Sequence, residues 1–76
     1  EVHADFRTLV QGGTKVSFID ESLGSPTSWS WDFGDGSVSS EQFPVYTYLK
    51  EGTYNVTLSV SNEIYSDTIS KVIGIR

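Results

Sequence analysis

The chain contains no cysteine. No disulfide can reinforce its fold, and no thiolate is available to hold a metal. Histidine is almost as scarce: His3, near the start, is the only one. A Ser/His/Asp relay cannot be argued from a lone terminal histidine, so nucleophilic catalysis lacks its constellation. Basic residues are few, five against ten acids for a formal charge of −5, and they form no run. That argues against a nucleic-acid surface. No apolar stretch approaches the roughly 18 residues of a membrane-crossing helix, and no signal-peptide pattern is present. No segment sustains a helical period, and there is no internal repeat. The first residue is Glu1, not methionine, and we read residues 1–76 as one module excised from a larger multidomain extracellular protein.

What is present is aromatic and alternating. A chain of 76 residues lies near the lower limit for a self-sufficient core and buries only about 60% of its unfolded surface. Two tryptophans, four tyrosines and four phenylalanines must carry that burial. The acids are scattered along the chain, as on a solvated surface. The segment Trp31-Asp32-Phe33-Gly34-Asp35-Gly36 is the most distinctive. Period two puts Trp29, Trp31 and Phe33 on one face of a strand over 27–33, with Ser30 and Asp32 on the other. Glycine at 34 and 36 suits a turn that needs positive φ.

The remaining segments follow the same rule. Ala4 and Phe6 alternate with His3, Asp5 and Arg7 in a first strand, and Gln11-Gly12-Gly13 reads as a turn. A second strand of about six residues starts at Lys15 and points Val16 and Phe18 inward. A polar loop over 20–26 leads to the tryptophan strand. Ser37 to Glu41 suits a short edge strand, and Val45 to Tyr48 another. From Thr53, Tyr54, Val56, Leu58 and Val60 oppose Asn55, Thr57, Ser59 and Ser61, a strand buried on one side only. The last strand takes Ser66 to about Ile75, where Lys71 shares a face with Ile69, Ile73 and Ile75. A bulge or a snorkelling lysine would reconcile that. Seven short strands at this spacing predict an all-β, immunoglobulin-like sandwich of two antiparallel sheets. Tyr54 is placed for a tyrosine corner, its ring in the core and its hydroxyl bonded to the preceding loop.

Candidate chemistry is thin. Asp32 with Asp35, and Asp20 with Glu21, are the only paired carboxylates we weigh, and a glycosidase would need a deep cleft around them. Calcium is the metal such acids would suit, but their spacing is not that of an EF-hand, and turn chemistry accounts for Asp35 and Asp32. No cofactor is expected. Trp29, Trp31 and Phe33 read as core, which leaves Phe43, Tyr46, Ile64 and Tyr65 as the candidate binding surface. Asn55-Val56-Thr57 is a glycosylation sequon on the wet face of its strand, with Asn55 the acceptor.

These residues resemble the PKD (polycystic kidney disease) domain family over most of the chain. The Trp-Asp-Phe-Gly-Asp-Gly hexapeptide is complete at 31–36. Ala4-Asp5-Phe6 is similar to the family's opening, Val16 to Ser22 to its second strand, and Gly52-Thr53-Tyr54-Asn55-Val56-Thr57-Leu58 to its Gly-Thr-Tyr-x-Val-x-Leu strand. The structural signature is therefore Trp31, Asp32, Phe33, Gly34, Asp35, Gly36, Gly52, Tyr54, Val56 and Leu58. Where the family often has Asn-Pro-x-His-Thr-Tyr, this chain has Phe43-Pro44-Val45-Tyr46-Thr47-Tyr48, so contacts made by that asparagine and histidine are absent.

The resemblance implies an extracellular, non-catalytic module. The first reading is a structural or adhesion unit that spaces domains of a cell-surface, surface-layer-like protein, strung in tandem through its first and last strands. Backbone hydrogen bonds between those strands would resist pulling. Its partners would be other domains of the same chain or surface proteins, with the isolated unit a monomer. The alternative is an accessory module that binds polysaccharide or protein substrate for a secreted hydrolase.

Overall fold

Residues 2–75 are described by a computed structural model, and strands form wherever the sequence alternates. They are β1 (Phe6–Gly12), β2 (Lys15–Asp20), β3 (Ser28–Asp32), β4 (Val38–Ser39), β5 (Val45–Thr47), β6 (Gly52–Ser61) and β7 (Ser66–Ile75). β1-β2-β5 make a three-stranded antiparallel sheet and β4-β3-β6-β7 a four-stranded one. The order joins β3 to β6 and β2 to β5, so the sandwich closes through contacts remote in sequence.

The interior is built on Trp31, which has no exposed surface. Phe6 meets its ring edge-on at 5.1 Å and Phe18 tilts against it at 5.5 Å. The chain of rings continues from Phe18 through Phe33, Tyr46 and Tyr48 to Tyr54. Val16, Val56, Leu58 and Val60 fill the space around them. Each polar tip that goes inside finds a backbone acceptor, as burial demands. Trp31 Nε1 donates to Glu41 O at 2.7 Å, and the Tyr48 hydroxyl donates to Phe33 O at 2.8 Å. Burial also pushes the Tyr48 hydroxyl far above the usual tyrosine range.

Several expectations need correction. Trp29 is only half-buried, packing against the rim of the core, because it sits at the second residue of β3 where the sheet ends. The first turn falls at Gly13-Thr14, not Gln11-Gly12-Gly13, because β1 runs on to Gly12 through a register shift between Val10 and Gly12. Residues 3–5 precede β1 and are tied by a bridge from His3 to Leu23. β7 contains no bulge: it pairs with β6 without interruption from Gly52–Ile75 to Ser61–Ser66. Lys71 instead extends its ammonium to Asp5 Oδ1 at 2.9 Å and to the Phe6 carbonyl, lying 5.0 Å from the Phe6 ring centroid. Its alkyl stem stays on the apolar face while its charge leaves it. The tyrosine corner forms, with Tyr54 Oη donating to Lys50 O at 2.7 Å, although the Tyr54 ring is half-buried.

β1 and β7 lie in different sheets and share no ladder. Pulling on the ends would load side-chain ties, Lys71 to Asp5 and Phe6, and the Ala4 amide to Asp67 Oδ2 at 2.8 Å. Those ties also fix where the ends lie. Asp67 is one pair from the β6–β7 hairpin, so the chain enters there, while Ile75 pairs with Gly52 at the opposite end of β6. The long axis of the domain measures 38 Å.

Candidate functional site

The signature hexapeptide folds into a turn and offers no open site. Asp32 Oδ1 accepts the Gly34 amide at 3.0 Å, and Asp35 Oδ1 accepts the Ser37 amide at 3.0 Å. Asp35 Oδ2 takes the Tyr46 hydroxyl at 2.5 Å. That hydroxyl holds the Asp35 carboxyl below the usual carboxylate range, and the carboxylate in turn raises the Tyr46 hydroxyl. Gly34 has φ +86°, and a Cβ there would sit 2.6 Å from the Asn55 carbonyl oxygen, so only glycine fits.

Tyr46, expected on a binding surface, is committed elsewhere. Its ring stacks on Phe33 at 4.5 Å and 8°, and its hydroxyl is shared by Asp35 and Ser37. Alternation contained the signal: Tyr46 has the same parity as Tyr48, which is buried. The other three candidates are exposed, and they belong to separate regions. Phe43 precedes β5 in the three-stranded sheet. Ile64 and Tyr65 form the β6–β7 hairpin, where Asn62 Oδ1 accepts both of their amides, at 2.8 and 2.7 Å. Among the described residues, no group of three or more His, Cys, Asp or Glu side chains is arranged to hold a metal.

The second acid pair also serves structure. Desolvation would raise the Asp20 carboxyl, but donors from Ser22, Gln42 and Trp29 outweigh it and hold the group below the usual range. Trp29 Nε1 donates to Asp20 Oδ2 at 2.9 Å and Gln42 Nε2 at 3.1 Å. Asp20 thus ties β2 to β3 across the sandwich, a role that β2 alone could not reveal. Glu21 pairs with Arg7 at 3.3 Å, both well exposed.

The two outer sheet faces are exposed as well. On the four-stranded sheet the register aligns Ser28, Ser30, Thr57, Ser59, Ser61, Ser66, Thr68 and Ser70 outward, with Asp32, Asn55 and Val72. Thr57 and Ser70 hydrogen-bond at 2.9 Å, and Ser59 and Thr68 at 3.1 Å. An open depression of about 290 Å³ lies at the hairpin end of this sheet, lined by Ser28, Ser59, Ser61, Ser66 and Thr68 together with Trp29 and Asp67. Asn55 is exposed here, opposite Val72. On the three-stranded sheet the outward row is Leu9, Ser17 and Val45. Continuing that register by two residues sets Phe43 opposite Ile19. Leu9, Phe43 and Val45 are each more than half exposed. Phe43 was legible as a candidate, whereas Leu9 comes from β1 on the far side of β2, a pairing that a linear sequence does not state.

Two antiparallel sheets packed over a tryptophan-centred core, with a tyrosine corner on β6, define an immunoglobulin-like β-sandwich. The chain belongs to the PKD domain family, whose sequence profile matches residues 1–73. It is 44% identical over 62 residues to the pre-pro-metalloprotease PrtV of Vibrio cholerae, covering 79% of this chain and 7% of that protein. Collagenase ColQ1 of Bacillus cereus is 48% identical over 64 residues, covering 82% of this chain and 7% of the collagenase. The chain therefore spans about 7% of the length of these curated relatives. The crystal structure of the PKD1 domain from Vibrio cholerae PrtV superposes with a TM-score of 0.90 at 36% identity, covering 97% of this chain and 95% of that one. A structure described as showing the promiscuous specificity of carbohydrate-binding modules of the β-sandwich superfamily has a TM-score of 0.84 at 28% identity, covering 96% of this chain and 33% of that one.

Proposed function

We propose that this domain is a non-catalytic module that spaces and positions the neighbouring domains of a multidomain extracellular protein. The observation that carries this reading is geometric. The chain enters and leaves at opposite ends of a body 38 Å long, whose aromatic side chains are mostly spent on its own core. Asp20, Asp32 and Asp35 are engaged in turns and a cross-sheet tie, and His3 is an exposed side chain 4.0 Å from Asp67. Such a unit adds length without adding chemistry. The same geometry serves a surface-layer protein or a secreted enzyme; relatives named as a metalloprotease and a collagenase weight the second setting. Small-angle scattering of the parent protein with and without residues 1–76 tests it. The maximum dimension should fall by roughly the 38 Å axis while turnover of a small soluble substrate is unchanged. Loss of that turnover would contradict the reading.

A second reading, an accessory substrate-binding module, is favoured by the exposed Phe43 and Val45, with Leu9 across Ser17 from them, and by the collagenase and carbohydrate-binding relatives. Apolar rows of this kind mark contact surfaces when they are contiguous. Retention of the isolated chain on insoluble collagen, chitin or cellulose would support it, and passage through all three would remove it for those substrates. Occupancy of Asn55 by a glycan is a separate proposal, read by intact mass.

A further inference from the structure

We propose that Asp35-Gly36 is a latent site of backbone rearrangement to isoaspartate, and that the Tyr46 hydroxyl, brought from the opposite sheet, keeps it shut. It is the one place in the sequence where Asp or Asn precedes glycine. At such a step the Gly36 nitrogen can attack Asp35 Cγ. The new N–Cγ bond closes a five-membered succinimide, and the amide proton and the carboxyl OH leave as water. Water then opens the ring at either carbonyl. One opening restores aspartate; the other leaves the main chain routed through Cγ, with no net change in mass. Both residues are exposed, and no side chain on Gly36 shields its nitrogen. Even a Cβ built there would meet nothing within 4 Å, so the fold does not cover that side of the turn.

What the fold withholds is the electrophile. A carboxylic acid can release its OH as water, whereas a carboxylate has no such leaving group. Asp35 accepts the Ser37 amide at Oδ1, 3.0 Å away, and the Tyr46 hydroxyl at Oδ2, 2.5 Å away. Donors to the ionised form favour it, and the Tyr46 hydroxyl is the main reason this carboxyl is held below the usual carboxylate range. The same two bonds pin the group, which cannot swing freely onto the Gly36 nitrogen. The guard itself is rigid. Its ring is stacked on Phe33 at 4.5 Å and meets Tyr48 edge-on at 4.9 Å. Tyr46 belongs to β5 and Asp35 to the turn after β3, so the guard exists only while the two sheets are packed together. Rearrangement would add one main-chain carbon inside a turn that Phe33 N closes onto Ser37 O at 3.0 Å. It would also strip Tyr46 of its acceptor and unsettle β4, which pairs with β3 through Trp31–Ser39 and Asp32–Val38.

Tyr46→Phe keeps the stacked ring and removes only the hydroxyl, while Val60→Ala weakens the buried core away from the turn. The test ages both variants and the wild type in mildly acidic buffer, with circular dichroism confirming that each stays folded. Isoaspartate is counted with an isoaspartate-specific methyltransferase and located by peptide mapping. Tyr46→Phe should accumulate it at Asp35 about tenfold faster than wild type, the factor for losing one hydrogen bond to a charged group. Val60→Ala should match wild type, and wild type held unfolded in urea should be at least as fast as Tyr46→Phe. Four results would each overturn the proposal: Tyr46→Phe ageing at the wild-type rate, Val60→Ala ageing as fast as Tyr46→Phe, wild type no faster in urea than when folded, or rearrangement at a residue other than Asp35.

Discussion

Outward from the four-stranded sheet most side chains are hydroxyls, several bonded to one another across strands, with Asp32 the one charge among them and the exposed Val38 and Val72 at its two edge strands. Outward from the three-stranded sheet Leu9, Val45 and Phe43 surround Ser17, flanked by Arg7, Lys15 and Thr47. The inner faces show no such difference. Both contribute buried aliphatic and aromatic side chains to one cluster around Trp31. Period-two alternation thus constrains the interior of each sheet in the same way and leaves the outside free. Binding, where this domain has any, belongs to the freedom outside.

That contrast between a shared inside and divergent outsides can be broken in stages. Trp31→Ala removes the ring on which Phe6 and Phe18 pack and should cost about 3–5 kcal/mol. Such a loss is comparable to the whole stability of so small a domain. A thermal melt should show both sheets failing together, and a cooperative transition within a few degrees of wild type would refute the shared core. Next comes Gly34→Ala, which forces a side chain into positive φ and against the Asn55 carbonyl. About 1–3 kcal/mol should be lost, read as a lower denaturant midpoint at unchanged slope.

Acid should act through the ties between the faces. Asp20 and Asp35 are held below the ordinary carboxylate value of 3.8. Each contributes stability that is present above that value and lost as pH falls through the lower, folded-state value. Thermal melts should therefore decline below about pH 4, and Asp20→Asn should make that decline shallower. The smallest effects belong to the outer faces. Leu9→Ser, Phe43→Ser, Ser30→Ala and Ser59→Ala should each change stability by no more than about 0.5 kcal/mol. Only the first two should reduce binding of an apolar dye such as anilinonaphthalene sulfonate, which sharpens the contrast between the faces. Equal dye binding by all four variants would erase it.

Much of the inside was legible in the sequence. Tyr54, Val56, Leu58 and Val60 announce β6 and its buried face, and Trp31 with the Gly34 turn announces the family and the centre of the core. The corner tyrosine follows from its position after Gly52. The outside was less legible, for physical reasons. Leu9 and Val45 come to flank Ser17 only after β1 and β5 pair on either side of β2, and a pairing that spans the whole of β3 and β4 is a property of the whole fold. Asp20 looks like a loop acid until Trp29 arrives from the other sheet. Tyr46 shows the converse, since its parity pointed inward while its place in an aromatic segment suggested a platform.

Lys71 carries a consequence for the behaviour of the protein in a crowded setting. β7 is a ten-residue strand with one unpaired edge, the kind of edge along which proteins recruit one another into fibrils. Three isoleucines on its inner face would suit such a cross-β stack. A lysine in the middle of that row, satisfied only by Asp5 and the Phe6 carbonyl of its own chain, would be stranded without a counter-charge in any foreign sheet. One misplaced-looking cation in the alternation therefore works against recruitment along a long strand that stands open at the margin of the molecule.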